Sequence, residues 1–147
     1  MTTTFLLVGL VLAMTQNRSA TPACVALTPQ EVSSLIGAAK AMPISNGPTG
    51  SACLLQEREK TVSVIIVNAA SPDSATRQWI LKKAIASGRE VSGWGVQAYT
   101  AVQGTAAVVG VVKGNTFMEV KANDPAQKPH QLGPKLHAAM KSAAGRL

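Results

Sequence analysis

Aromatic side chains are scarce in this 147-residue chain: two tryptophans, one tyrosine and two phenylalanines make up 3% of it. So few rings exclude an extended platform on which bases or sugars could stack. Acidic residues are few as well, seven against fourteen Lys and Arg, so a carboxylate-rich site would leave little acid for an ordinary surface. Histidine occurs only at His130 and His137, and cysteine only at Cys24 and Cys53. Neither pair sits in the close Cys/His spacing that binds structural zinc, and no metal or cofactor site is expected. There is no Gly-Lys-Ser/Thr phosphate loop, no Gly-x-Ser-x-Gly nucleophile elbow and no dense run of Lys or Arg. With 46% apolar and 14% charged residues, the chain is neither a disordered polyelectrolyte nor a coiled coil, and its length suits one domain.

What is present starts with Phe5 to Met14, an apolar run of ten residues. A bilayer-spanning helix needs about twenty. Ten fits the apolar core of a secretory signal peptide. No Lys or Arg precedes the run, and Thr21-Pro22-Ala23 is a poor Ala-x-Ala cleavage site; the alternative is a buried N-terminal strand or helix. Residues 1–20 are therefore expected to be a signal-peptide-like segment, and residues 21–147 one globular domain, exported to the periplasm or the extracellular space. In an exported chain an even cysteine count points to a Cys24–Cys53 disulfide. Free thiols are one alternative. Lipid anchoring at Cys24 is another, disfavoured because no large aliphatic residue stands three positions upstream. A catalytic thiol would lack any supporting motif.

Periodicity then orders the domain. Thr28-Pro29-Gln30-Glu31 combines a capping residue, a proline suited to the first helical position and a capping-box carboxylate. Val32, Leu35, Ile36 and Ala39 follow on one helical face, with an end near Ala41, before Pro43. Ile44 to Ser51 reads as a loop. Ala52 to Glu57 and Thr61 to Asn68 read as strands, the second alternating Val62, Val64 and Ile66 against Ser63. Ser71-Pro72-Asp73 starts a second helix that runs to about Ser87 and closes at Gly88, with Ala75, Trp79, Ile80, Leu81 and Ala84 as its buried stripe. Val96 to Val102, Ala106 to Lys113 and Thr116 to Ala122 are three further strands, the last two joined by a Gly114-Asn115 hairpin turn. Glu119 is expected on the solvent side. A final helix from about His130 to Ala144 carries Leu132, Leu136, Ala139, Met140 and Ala143. The expected fold class is α+β: an antiparallel sheet of about five strands with three helices packed on it, in the order α-β-β-α-β-β-β-α.

In this order the motifs resemble a group of small exported bacterial domains, often lipoproteins, of unknown function. The pieces are Cys24, Leu27-Thr28-Pro29-Gln30-Glu31-Val32, Cys53, Val91-Ser92-Gly93-Trp94-Gly95-Val96-Gln97-Ala98 and Lys113-Gly114-Asn115, covering about residues 23 to 147. In that group an aliphatic residue and an acidic one stand where this chain has Trp94 and Val96. The resemblance implies export, a disulfide and a compact α+β fold, and no reaction.

Candidate chemistry is thin. Gly93-Trp94-Gly95 opens a strand rather than a helix, which suits a tight turn better than a phosphate cradle. His130 and His137 stand two helical turns apart, about 10 Å, too far for one ion. Asp73, Glu90, Glu119 and Asp124 fall in no acid/base motif. The net charge of +7 comes from dispersed residues, so specific nucleic-acid binding is not expected, and weak attraction to anionic surfaces is. Arg89, Trp94 and Tyr99 are the ligand-binding candidates, with Trp94 and Tyr99 beside a small apolar pocket. The function expected is a non-enzymatic, disulfide-stabilised binding or interaction domain for an envelope component or a protein partner. A small extracytoplasmic hydrolase, an enzyme inhibitor and a structural envelope subunit are the alternatives.

Overall fold

A computed structural model describes residues 21–147. The expected signal-peptide-like segment, residues 1–20, lies outside the described residues. Among the described residues the chain runs α1 (Pro22–Val25), α2 (Pro29–Ile36), β1 (Lys40–Gly47), β2 (Gly50–Glu57), β3 (Lys60–Asn68), α3 (Pro72–Ala86), β4 (Arg89–Val91), β5 (Gln97–Gln103), β6 (Ala106–Lys113), β7 (Thr116–Asn123) and α4 (Pro129–Ala144). The α+β class and the antiparallel sheet stand, but the sheet has seven strands rather than five, and there are four helices rather than three. The spatial order is β1-β2-β3-β7-β6-β5-β4, every neighbouring pair antiparallel.

The two extra strands are the two edges. β1 occupies the segment expected to be the end of a helix and a loop, and α2 stops at Ile36. Every residue of β1 is exposed, so no apolar alternation marks it; Pro43 and a register shift between Pro43 and Ser45 further disguise it. Both features also blunt an edge strand against pairing with another chain. β4 is only three residues long. The extra helix, α1, is a single turn held to β2 by the Ala23 N–H, which donates to Ser51 Oγ at 3.0 Å.

Capping chemistry sets the helix starts. Thr28 Oγ1 accepts from the Glu31 N–H at 3.2 Å while Glu31 Oε1 accepts from the Thr28 N–H at 2.8 Å, completing the capping box. Ser71 caps α3 through the Ser74 N–H at 3.1 Å. At the start of α4, Gln131 Oε1 accepts from the Lys128 N–H at 2.9 Å.

Strand alternation gives the sheet two apolar faces. On one, Val62, Val64, Ile66, Ala107, Val109, Val111, Met118 and Val120 meet α1, α2 and α4, whose Leu132, Leu136, Ala139, Met140 and Ala143 are all buried as expected. On the other, Val108, Val112, Phe117 and Tyr99 meet Ala75 and Trp79 of α3. The stripe expected on α3 needs correction. Ile80, Leu81 and Ala84 are exposed and Ala86 is buried, because among the described residues only the sheet packs against α3. The disulfide expected between Cys24 and Cys53 is present and ties α1 to β2, with Cα atoms 5.1 Å apart. Each sulfur has one partner, so Cys24 is not available for a lipid thioether in this structure.

Candidate functional site

The register of the sheet builds the site. On the α4 face, Arg89 of β4 pairs with Thr100 of β5, and Thr100 with Val109 of β6. The next row on that face is Val102 paired with Ala107. Side chains two apart on a strand point the same way, so these five form a floor with its basic end at the sheet edge. α4 crosses above. Between its buried Leu132 and Leu136 stand Gly133 and Pro134, which carry no long side chain to fill the space below. A Cβ placed on Gly133 would meet nothing within 4 Å. The result is a groove of about 710 Å³. Its helix wall presents His130, Gly133, Pro134 and His137, and its end wall is Ala86 and Ser87.

Three local devices shape the walls. Ser87 adopts a left-handed conformation (φ 53°) that reverses the chain after α3, and the Gly88 N–H donates to the Lys83 carbonyl at 2.8 Å. This reversal delivers Arg89 to the floor. Pro134 has no N–H to offer the His130 carbonyl four residues earlier, so that carbonyl lacks its helical partner at the groove wall. Trp94 sits in a bend between Gly93 and Gly95, both at positive φ (84° and 72°). Glycine adopts these angles freely, and the bend lets the indole fold back onto α4. There it meets the His137 ring edge-on, with centroids 4.7 Å apart.

The three ligand-binding candidates therefore part company. Arg89 is exposed and lines the groove. Trp94 is only 8% exposed, outside the lining, and braces His137 from behind. Tyr99 is fully buried on the opposite face of the sheet. Its phenol donates to Glu119 Oε2 at 2.8 Å. Burial pushes the Tyr99 hydroxyl well above the ordinary tyrosine range, and the adjacent Glu119 carboxylate pushes it further.

Glu119, expected at the surface, is 3% exposed. The alternation of β7 was right, but its polar-looking face lies toward α3, where Tyr99 and Lys121 (Nζ 3.7 Å from Oε1) receive the carboxylate. Glu90 pairs with Lys83 at 2.6 Å. Asp124 accepts from Gln127 Nε2 at 2.7 Å and the Ala126 N–H at 2.9 Å, with Lys60 at 4.0 Å. These carboxylates thus have separate structural partners, and no group of three or more His, Cys, Asp and Glu gathers among the described residues.

The sequence set His130 and His137 two helical turns apart and gave them no ligand role; both line the groove. Val102 was missed as a site residue. It is 58% exposed while its chain neighbours Ala101 and Gln103 are partly covered, and only the register places it on the α4 face. Gly133-Pro134 inside an apolar helical stripe was the readable signal of a gap under α4. No family model matches the chain, and no curated protein matches it.

Proposed function

We propose that this protein is an exported, disulfide-stapled binding module that takes its ligand in the groove between α4 and the β4–β6 edge. The observation that carries this reading is the groove itself. A volume of about 710 Å³ lies within the range of small-molecule sites, ~300–1,000 Å³, and it opens onto a guanidinium at one end of an apolar floor. The lining favours binding over reaction. It consists of one guanidinium, two imidazoles, two hydroxyls and apolar or glycine residues, with no carboxylate among them. The disulfide is compatible with an extracytoplasmic home and supports export.

The test is an amide-resolved NMR titration with a mixed set of small carboxylates, amines and neutral fragments. Hits should shift resonances at residues 89, 100, 102, 130, 133 and 137 together. Arg89→Ala and Trp94→Ala should each weaken those hits, the first by removing a contact and the second by releasing His137. Hits that scatter over the surface, or gather under α3, would discard the groove, as would affinities that neither substitution changes.

A further inference from the structure

We infer that the groove takes an amphiphile with a single anionic head, a carboxylate or phosphate monoester on an aliphatic body. The inference rests on the groove being the binding site and adds the chemistry of its occupant. The head is specified by charge. Arg89 has no carboxylate partner among the described residues, and the neighbouring acid, Glu90, is engaged by Lys83. No Asp or Glu lines the groove, so nothing in it competes for the guanidinium or repels an anion. Guanidinium presents a planar fork that matches two oxygens of a carboxylate or phosphate. Thr100, its cross-strand neighbour, adds a hydroxyl donor.

The body is specified by the floor and by what α4 fails to cover. Beyond Arg89 and Thr100 the sheet offers Val102, Ala107 and Val109, and the helix offers Pro134 and Leu136. Val102 keeps 58% of its surface in water although its strand lies in a seven-stranded sheet. An aliphatic chain along this row would remove that surface from water, which favours binding in proportion to area. A wholly polar anion would leave the floor wet, and a neutral amphiphile would leave Arg89 unanswered. Together these features fit one molecule with both properties.

The experiment uses four probes below their micelle concentrations: decanoate, decyl phosphate, decyl glucoside and decyltrimethylammonium. Binding is read by calorimetry and by amide shifts on the wild-type domain, Arg89→Ala and Val102→Asp. The two anionic probes should bind about tenfold or more tighter than decyl glucoside, and decyltrimethylammonium should bind least. Arg89→Ala should remove that preference by weakening the two anionic probes to about the level of decyl glucoside, while Val102→Asp should weaken those three probes. Both positions are exposed, and thermal melts check that each variant folds. Equal affinity for charged and neutral probes, untouched by Arg89→Ala, overturns the anionic head and leaves the groove standing. Groove shifts with short anions such as acetate, as strong as with decanoate, overturn the aliphatic body. If no amphiphile shifts any groove residue, the binding-site reading itself fails. Binding to vesicles of anionic phospholipid but to no monomeric probe would make this a membrane-docking face and overturn the inference.

Discussion

Two adjacent rows of residues cross the whole sheet on opposite faces, and they differ in how completely they are filled. One row reads Glu90, Tyr99, Gly110, Glu119, Ile65, Ala52 and Ser45 on the α3 side. The other reads Arg89, Thr100, Val109, Val120, Val64, Cys53 and Pro43 on the α4 side. In the first, Tyr99 lies across Gly110 to reach Glu119, and Trp79 adds a hydrogen bond from its indole N–H to the Gly110 carbonyl at 3.2 Å. Lys83 then sits over the Trp79 ring, its Nζ 5.0 Å from the centroid, which joins a cation–π contact to its ion pair with Glu90. Three of the chain's few aromatics and two of its few acids are engaged on this side. In the second row the Val109 end lies under a helix that carries Gly133 and Pro134 where larger side chains would have closed it. The contrast separates packing that holds the sheet from space left open beside it.

The largest expected effect lies at the far end of the second row. Cys53 and Cys24 close a loop of 29 residues, and on the chain-entropy argument the bridge stabilises the fold by about 3–4 kcal/mol. Replacing both cysteines with serine should lower the denaturation free energy by that amount while leaving the groove's probe affinities within about twofold. The groove stands at the other end of the row and takes nothing directly from α1. A matching loss of probe binding in the folded variant would show that the row acts as one unit and would break the separation.

The next prediction compares one substitution at two glycines. A Cβ on Gly110 would stand 2.3 Å from Tyr99 Cε1 and Cζ, on a ring held by Glu119 and by Trp79 at 5.8 Å. Gly110→Ala should therefore destabilise by about 2–3 kcal/mol, the upper part of the usual overpacking range. A Cβ on Gly133 meets open space. Alanine there gains up to about 1 kcal/mol of helix propensity, offset by crowding from the following proline. Gly133→Ala should change stability by less than about 1 kcal/mol and weaken groove ligands by intruding on their space. Urea denaturation of the two variants decides it; equal losses would mean the groove side is as tightly filled as the α3 side.

The same contrast sets what the sequence could reveal. Local rules sufficed where one face of an element is buried and the other is wet. The Leu132, Leu136, Met140 stripe, the Val62, Val64, Ile66 alternation and the Thr28–Glu31 capping box were readable for that reason. They failed at β1, exposed throughout, and at Ile80 and Leu81, apolar residues left in water. They failed again at Glu119, because a charged residue on an alternating strand reads as surface unless its cross-strand partners are known. Tyr99 and Glu119 are twenty positions apart and meet only through the register across Gly110. Arg89 was legible as a basic ligand-binding candidate next to the end of the second helix. Its place in a groove depends on that register and on where α4 lands, which no local pattern encodes.

The smallest effect tests whether the remaining acids are structural, as their pairing implies. Hydrogen bonds from Gln127 and the Ala126 N–H, then the charges of Lys60 and Lys135, hold the Asp124 carboxyl below its ordinary value of 3.8 against some opposing burial. Burial likewise raises the Glu31 carboxyl, but Arg146 and the Thr28 N–H outweigh it and leave it lowered. A carboxyl whose folded value is depressed binds its proton more readily in the unfolded chain, so it stabilises the fold above the unfolded value. That contribution fades as pH falls below about 4 toward the folded value. Asp124→Asn should therefore be less stable than the wild type at pH 6, with the gap narrowing between pH 4 and pH 2.5 in parallel urea titrations. Neither Asp124 nor Glu31 lines the groove, so probe binding at pH 6 should be the same in Asp124→Asn and the wild type. A gap that stays constant with pH would mean that the Asp124 side chain acts by shape alone; altered probe binding would mean that the open side depends on the loop before α4 as well as on the sheet.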